Sequence, residues 1–239
     1  MIMKRVGVVV LLVLAFAPQA AMARDPAELK VLGFSPDGRY FAYQQTGTKQ
    51  GTTYSVTTVL DVETGRPIKG SRTSFSDEER KQLAKHTKAT ARQIKRLKIS
   101  QKGVMTVSVR GFDAEPFEEA SVKSFALPSK WFGPESWLKL RQFKMVTRCK
   151  SKDASPVGFG LALERKGAEA VRLSQDVSIP TARGCPTQYR IADLHARQAP
   201  DGATALVVIV QDSTPGVDAE NLFIPVTARI PPVNTARAQ

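Results

Sequence analysis

Short apolar runs, most of them alternating with polar residues, recur along the chain between turns rich in Gly, Pro and Asp. The first covers residues 29–34. Ser35-Pro36-Asp37-Gly38 closes it, and Tyr40, Phe41 and Tyr43 open a second run that extends to about Thr46. Pro presets φ for the turn, Asp suits the position after it, and Gly takes the left-handed conformation that other residues resist, so this segment is predicted to be a β-hairpin. A third run, 54–61, is followed by Glu63-Thr64-Gly65 and completes a small N-terminal meander. Strands are predicted again at 104–109, 122–127, 137–147, 158–164, 189–195, 203–211 and 222–230, with a second Pro-Asp-Gly turn at 200–202.

Between the meander and the later strands the period changes from two to three and a half. Ser76 with Glu79 makes a capping box, and Asp77, Glu78 and Glu79 put negative charge on the first turn of a helix predicted over 77–97. Leu83, Thr87, Thr90, Ile94 and Leu97 share one face, with Ala84 and Ala91 beside them. Lys81, Lys85, Lys88, Arg92, Lys95 and Arg96 form a cationic stripe roughly opposite. Strands in runs with one helix inserted argue for antiparallel sheets rather than βαβ units. The expected fold is mainly β: a sandwich-like pair of antiparallel sheets with one long amphipathic helix lying across or beside it. The strand-turn-strand around Pro36-Asp37-Gly38 resembles one propeller blade, but the second turn shares little with it beyond Pro-Asp-Gly, and one copy does not make a repeat fold.

The N-terminus changes the picture of where this fold works. Lys4 and Arg5 precede a continuous apolar run over 6–16, followed by Pro18 and the triplet Ala21-Met22-Ala23. The run is shorter than the roughly 20 residues a spanning helix needs and ends in an A-x-A pattern, so residues 1–23 read as a signal peptide cleaved between Ala23 and Arg24. Residues 24–230 then form a single secreted domain, not membrane-spanning after cleavage, with a disordered tail over 231–239. The full chain has a net charge of +13; removal of Lys4 and Arg5 leaves 33 basic residues against 22 acidic ones, a net charge of +11.

Both cysteines, Cys149 and Cys185, fall after the cleavage point. In an oxidising compartment such a pair is expected as one disulfide, worth about 4 kcal/mol in the chain-entropy account. A metal reading lacks ligands, because His86 and His195 show no ligand spacing to the two thiols. No cofactor is implied.

The segments 33–43, Cys185-Pro186-Thr187-Gln188-Tyr189-Arg190-Ile191-Ala192, and Pro215-Gly216 leading into 223–226 occur in an order that resembles an uncharacterised family of predicted secreted bacterial proteins, that of the domain of unknown function DUF2259. The resemblance implies export and a shared fold over most of the mature chain, and implies no chemistry.

The sharpest functional hint is the cationic stripe. Lysines and arginines four apart repel by a few tenths of a kcal/mol per pair, a cost that an anionic partner relieves. A non-enzymatic module is expected, binding an anionic envelope component (lipid head groups, lipopolysaccharide phosphates or peptidoglycan) or an acidic protein. The compartment argues against nucleic acid. One alternative is a carbohydrate- or peptidoglycan-directed hydrolase using Asp113, Glu115, Glu118 and Glu119 together with Trp131, Phe132 and Trp137; another is a purely structural interaction module. Gly47-Thr48-Lys49-Gln50-Gly51-Thr52 has the residue types of a phosphate loop without its spacing, and a strand follows it rather than a helix. Neither histidine sits in a recognisable nucleophile motif, so no catalytic residue is assigned.

Overall fold

The structure, a computed structural model, describes residues 28–49, 52–70, 80–108, 122–146, 156–180, 183, 185–213 and 222–232. The predicted signal peptide with its Ala23/Arg24 cleavage point lies outside them, as does most of the predicted tail.

Three antiparallel sheets stand in place of the expected pair. Sheet A is a meander of β1 (Glu28–Phe34), β2 (Tyr40–Lys49) and β3 (Thr52–Asp61). After helix α1 (Arg80–Arg96) come β4 (Val104–Ser108), β5 (Val122–Ala126), the single turn α2 (Ser129–Phe132), β6 (Ser136–Lys144), β7 (Val157–Arg165) and β8 (Val171–Gln175). The chain closes with β9 (Gln188–Gln198), β10 (Thr204–Ser213) and β11 (Phe223–Ile230). Sheet B runs β11-β10-β9-β4 and sheet C runs β5-β6-β7-β8. The mainly β, antiparallel class is therefore as expected. β8 is not marked in the sequence pattern, because its five residues hold only Val171 and Leu173 as apolar positions.

Packing explains the third layer. Side chains alternate faces along a strand, and β10 is sealed on both: Ala205, Val207 and Ile209 join the core against sheet A, while Leu206, Val208 and Val210 join the core against sheet C. All six are fully buried. Sheet A contributes Phe34, Phe41, Leu60 and Val62; sheet C contributes Leu138, Leu140, Phe159, Leu161 and Leu163. Each fully buried aliphatic side chain of the larger kind is worth about 1.5–3 kcal/mol. Sheet B is thus an inner wall shared by two cores, which a two-sheet sandwich does not have.

The turn chemistry read from sequence holds. Ser35 Oγ donates to Asp37 Oδ1 at 2.5 Å, Gly38 takes φ +70°, and its N–H donates to Ser35 O at 2.9 Å. At the end of β1 a bulge places Gly33 at φ +117°, where a side chain would collide with the Ser100 backbone. That close approach lets Phe34 and Ser100 exchange two backbone hydrogen bonds of 3.0 Å, stitching the chain that leaves α1 onto sheet A.

Candidate functional site

Residues 80–96 contain no Gly or Pro and include Ala84, Ala89 and Ala91, a composition that favours helix. The described part of helix α1 covers 17 residues, Arg80–Arg96; the predicted start at 77 and the Ser76/Glu79 capping box lie outside the described residues. At its C-terminal end the N–H of Ile99 donates to Ile94 O at 3.0 Å and that of Lys98 to Lys95 O at 3.1 Å, with Lys98 at φ +52°. This is a Schellman closure with lysine at the left-handed position that glycine usually fills.

The helix packs on β3. Ala42 and Val59 point away from sheet B yet are fully buried, which places α1 over the outer face of sheet A. Thr90 is buried and Ile94 and Leu97 are half-buried, whereas Ala91 is exposed rather than part of the packed face. Gln93 Nε2 donates to Lys69 O at 3.1 Å and ties the helix to the turn beyond β3. Lys88, Arg92, Lys95 and Arg96 are all exposed, and none forms an ion pair with a described residue. Lys88, Arg92 and Arg96 stand four apart, so like charges line up along the solvent side. The side chains of Lys81 and Lys85 lie outside the described residues. No described helix is long and apolar enough to cross a membrane.

The other sequence candidates are scattered. Asp113, Glu115, Glu118, Glu119, Pro215 and Gly216 lie outside the described residues, as does the His86 side chain. Phe132 is fully buried and Trp131 packs against the same core between sheets B and C; Trp137 is half-buried on β6. Within the glycine-rich segment, Gly47, Thr48, Lys49 and Thr52 are paired strand residues of β2 and β3. Cys185 is not a free thiol, and Cys149 lies outside the described residues. Among the described residues no group of three or more His, Cys, Asp and Glu is placed to hold a metal ion.

His195 is 3% exposed in the core between sheets A and B, its ring 5.9 Å from that of Phe41. Burial holds its pKa below the ordinary value, against a weaker upward pull from Asp193.

Two arrangements escaped the sequence reading. Arg183 Nη1 donates to both oxygens of Asp176 at 2.9 Å, Asp176 Oδ2 also accepts from Phe159 N at 3.0 Å, and the guanidinium lies 5.3 Å from the centre of the Phe159 ring. Burial works against the Arg183 charge, but Tyr189 and Asp176 outweigh it and raise its pKa. Burial also pushes the Tyr189 phenol up to about 12, against Arg183. The second arrangement is a surface pocket of about 180 Å3 lined by Asp37, Arg39, Val62, Glu63 and Arg229. Its parts come from opposite ends of the sequence, with no local motif to announce them.

Comparison with known proteins adds one match: the model of the family described as "Predicted secreted protein (DUF2259)" covers residues 42–227, from inside β2 to inside β11. No curated protein and no solved structure matches.

Proposed function

Because the chain belongs to the DUF2259 family of predicted secreted proteins, we propose that it acts beyond the cytoplasm as a non-enzymatic binding module for an anionic envelope component or an acidic protein. The membership agrees with a periplasmic or secreted location. The observation behind the binding reading is the exposed row Lys88, Arg92, Lys95 and Arg96 on α1, none of which is ion-paired among the described residues. Cations four apart on a helix repel one another, and exposed charges are screened within about 8 Å at physiological salt, so a closely apposed anion is what relieves the row. The net charge of +11 that remains after residues 1–23 are removed favours encounter with anionic surfaces, most strongly at low salt. The amphipathic character of the whole helix, with Lys81 and Lys85 continuing the row, belongs to this proposal.

A Cys149–Cys185 disulfide is part of the same reading, since Cys185 is not free and only one other cysteine exists in the chain. Thiol titration of the denatured, unreduced protein is expected to return no free thiol.

The test of the binding role is co-sedimentation of the purified mature protein with envelope fractions across a salt series, beside a variant with Lys88, Arg92, Lys95 and Arg96 changed to glutamine. Wild-type binding that falls steeply with salt and is lost in a folded variant supports the role, and the fraction that binds names the partner class. Equal binding by both proteins, or by neither, removes it.

A further inference from the structure

The pocket at the turn end of sheet A is built from three separate stretches of chain. The Pro36-Asp37-Gly38 turn and the residue after it supply Asp37 and Arg39, the exit from β3 supplies Val62 and Glu63, and β11 supplies Arg229. Val62 is 1% exposed and lies beneath the pocket, with its N–H donating to Arg39 O at 2.8 Å. Two carboxylates and two guanidiniums line it, and the guanidiniums are also ion-paired outside the lining, Arg39 with Asp61 at 3.3 Å and Arg229 with Asp201 at 2.6 Å.

Asp37, Arg39 and Arg229 are held by hydrogen bonds while keeping further hydrogen-bonding capacity. Asp37 accepts from Ser35 Oγ and from Arg39 N, both through Oδ1. Arg39 donates to Asp61 only through Nε, at 3.3 Å, and among the described residues its Nη groups have no hydrogen-bond partner. The Glu63 carboxylate likewise has no hydrogen-bond partner among the described residues. Arg229 is fixed through Nη2 to Asp201 Oδ2 at 2.6 Å and reaches Asp37 O from Nη1 at 3.4 Å. Partial burial of Asp37 raises its pKa, but the hydrogen bonds from Ser35 and Arg39 outweigh that and keep it ionised at neutral pH.

We infer that this pocket is a binding site for a small zwitterion, a free α-amino acid with a short side chain. Its ammonium group sits against Asp37 and Glu63 and its carboxylate on the open Nη edge of Arg39 beside Arg229. A molecule with both charges meets the open carboxylate of Glu63 and the open donors of Arg39 together, which a singly charged guest does not. The volume of about 180 Å3 has room for a small guest.

The experiment is an NMR titration of the mature protein with L-alanine at neutral pH, with acetate and methylammonium as single-charge comparators at equal ionic strength. L-alanine is expected to bind with a dissociation constant of about 1 mM, as suits a few solvent-facing charge contacts. Its shifts should centre on the amides of Gly38, Arg39 and Glu63, with each comparator at least tenfold weaker. Arg39→Gln and Glu63→Gln, both surface changes, should each weaken binding at least tenfold with an unchanged amide spectrum elsewhere. The glutamine variant of α1 should bind L-alanine as wild type does, which separates this site from the cationic helix. Absence of saturable L-alanine shifts, or equal affinity in the Arg39 and Glu63 variants, overturns the assignment.

Discussion

His195 Nδ1 lies 3.1 Å from Thr106 Oγ1, while Nε2, on the other side of the ring, is buried among the described residues with no hydrogen-bond partner. A neutral imidazole tolerates this arrangement because one nitrogen carries no proton. An imidazolium has N–H groups on both sides, and one of them would be buried without an acceptor.

The consequence is a pH dependence with a definite sign. The folded pKa of His195 is below the unfolded value of about 6.5. The unfolded chain therefore binds more protons in the interval between the two. Stability is complete above about pH 6.5 and falls as pH drops from there towards the folded pKa, by at most about 1.4 kcal/mol per pH unit. Urea midpoints measured from pH 7.5 down to 5 should show this slope, and His195→Gln should flatten it. An unchanged slope in the variant would assign the effect elsewhere.

Gly33 and Gly103 both adopt positive φ, at +117° and +70°, but only Gly33 faces a neighbour, the Ser100 backbone. Gly103→Ala should cost only the backbone strain, about 1 kcal/mol. Gly33→Ala adds a collision with backbone that cannot rotate away and should cost about 3 kcal/mol or more. Paired denaturation curves test this; equal losses would mean that the Phe34–Ser100 stitch yields easily.

The Arg183–Asp176 pair has side chains only 16% and 6% exposed. Arg183→Met leaves the Asp176 carboxylate buried with a reduced set of donors, for an expected loss of about 3–5 kcal/mol. Asp176→Leu together with Arg183→Met should recover much of that loss, since the cost lies in the stranded charge. A double-mutant cycle by urea unfolding measures the coupling, and additive losses would remove the pair as a unit.

Lys98 closes α1 at φ +52°. Lys98→Gly relieves the left-handed strain at the C-terminal cap and should raise stability by about 1 kcal/mol, partly offset by the greater freedom of glycine in the unfolded chain. A thermal scan that shows no gain would indicate that the lysine stem makes up for the strain.

What the sequence disclosed was local. Pro36-Asp37-Gly38 and the alternation around it were enough for the first hairpin, because a turn's conformation is decided by its own residues. The unbroken apolar stretch 205–210 marks a strand, and a strand with no polar alternation has no water-facing side, which calls for the layers found on both flanks. Ala91 was read as part of the packed face of α1 and is exposed, because the helix touches sheet A through a narrower strip than its apolar stripe suggests. The Arg183–Asp176 pair and the pocket around Arg39 depend on how distant segments meet, and nothing near those residues marks them. The cationic row was visible because helical spacing is itself a local property.

The shared inner wall has a consequence for the order in which the chain becomes whole. Among the described strands β4 pairs with β9 alone, and the apolar faces of sheets A and C both close on strands that come last in sequence. A secreted polypeptide that emerges N-terminus first therefore presents Phe34, Phe41 and Leu60 uncovered until residues 204–210 arrive. During that interval the early hairpins are an adhesive surface for any passing chain, so an escort that shields them from aggregation would act before the final three strands have emerged and become superfluous once they dock.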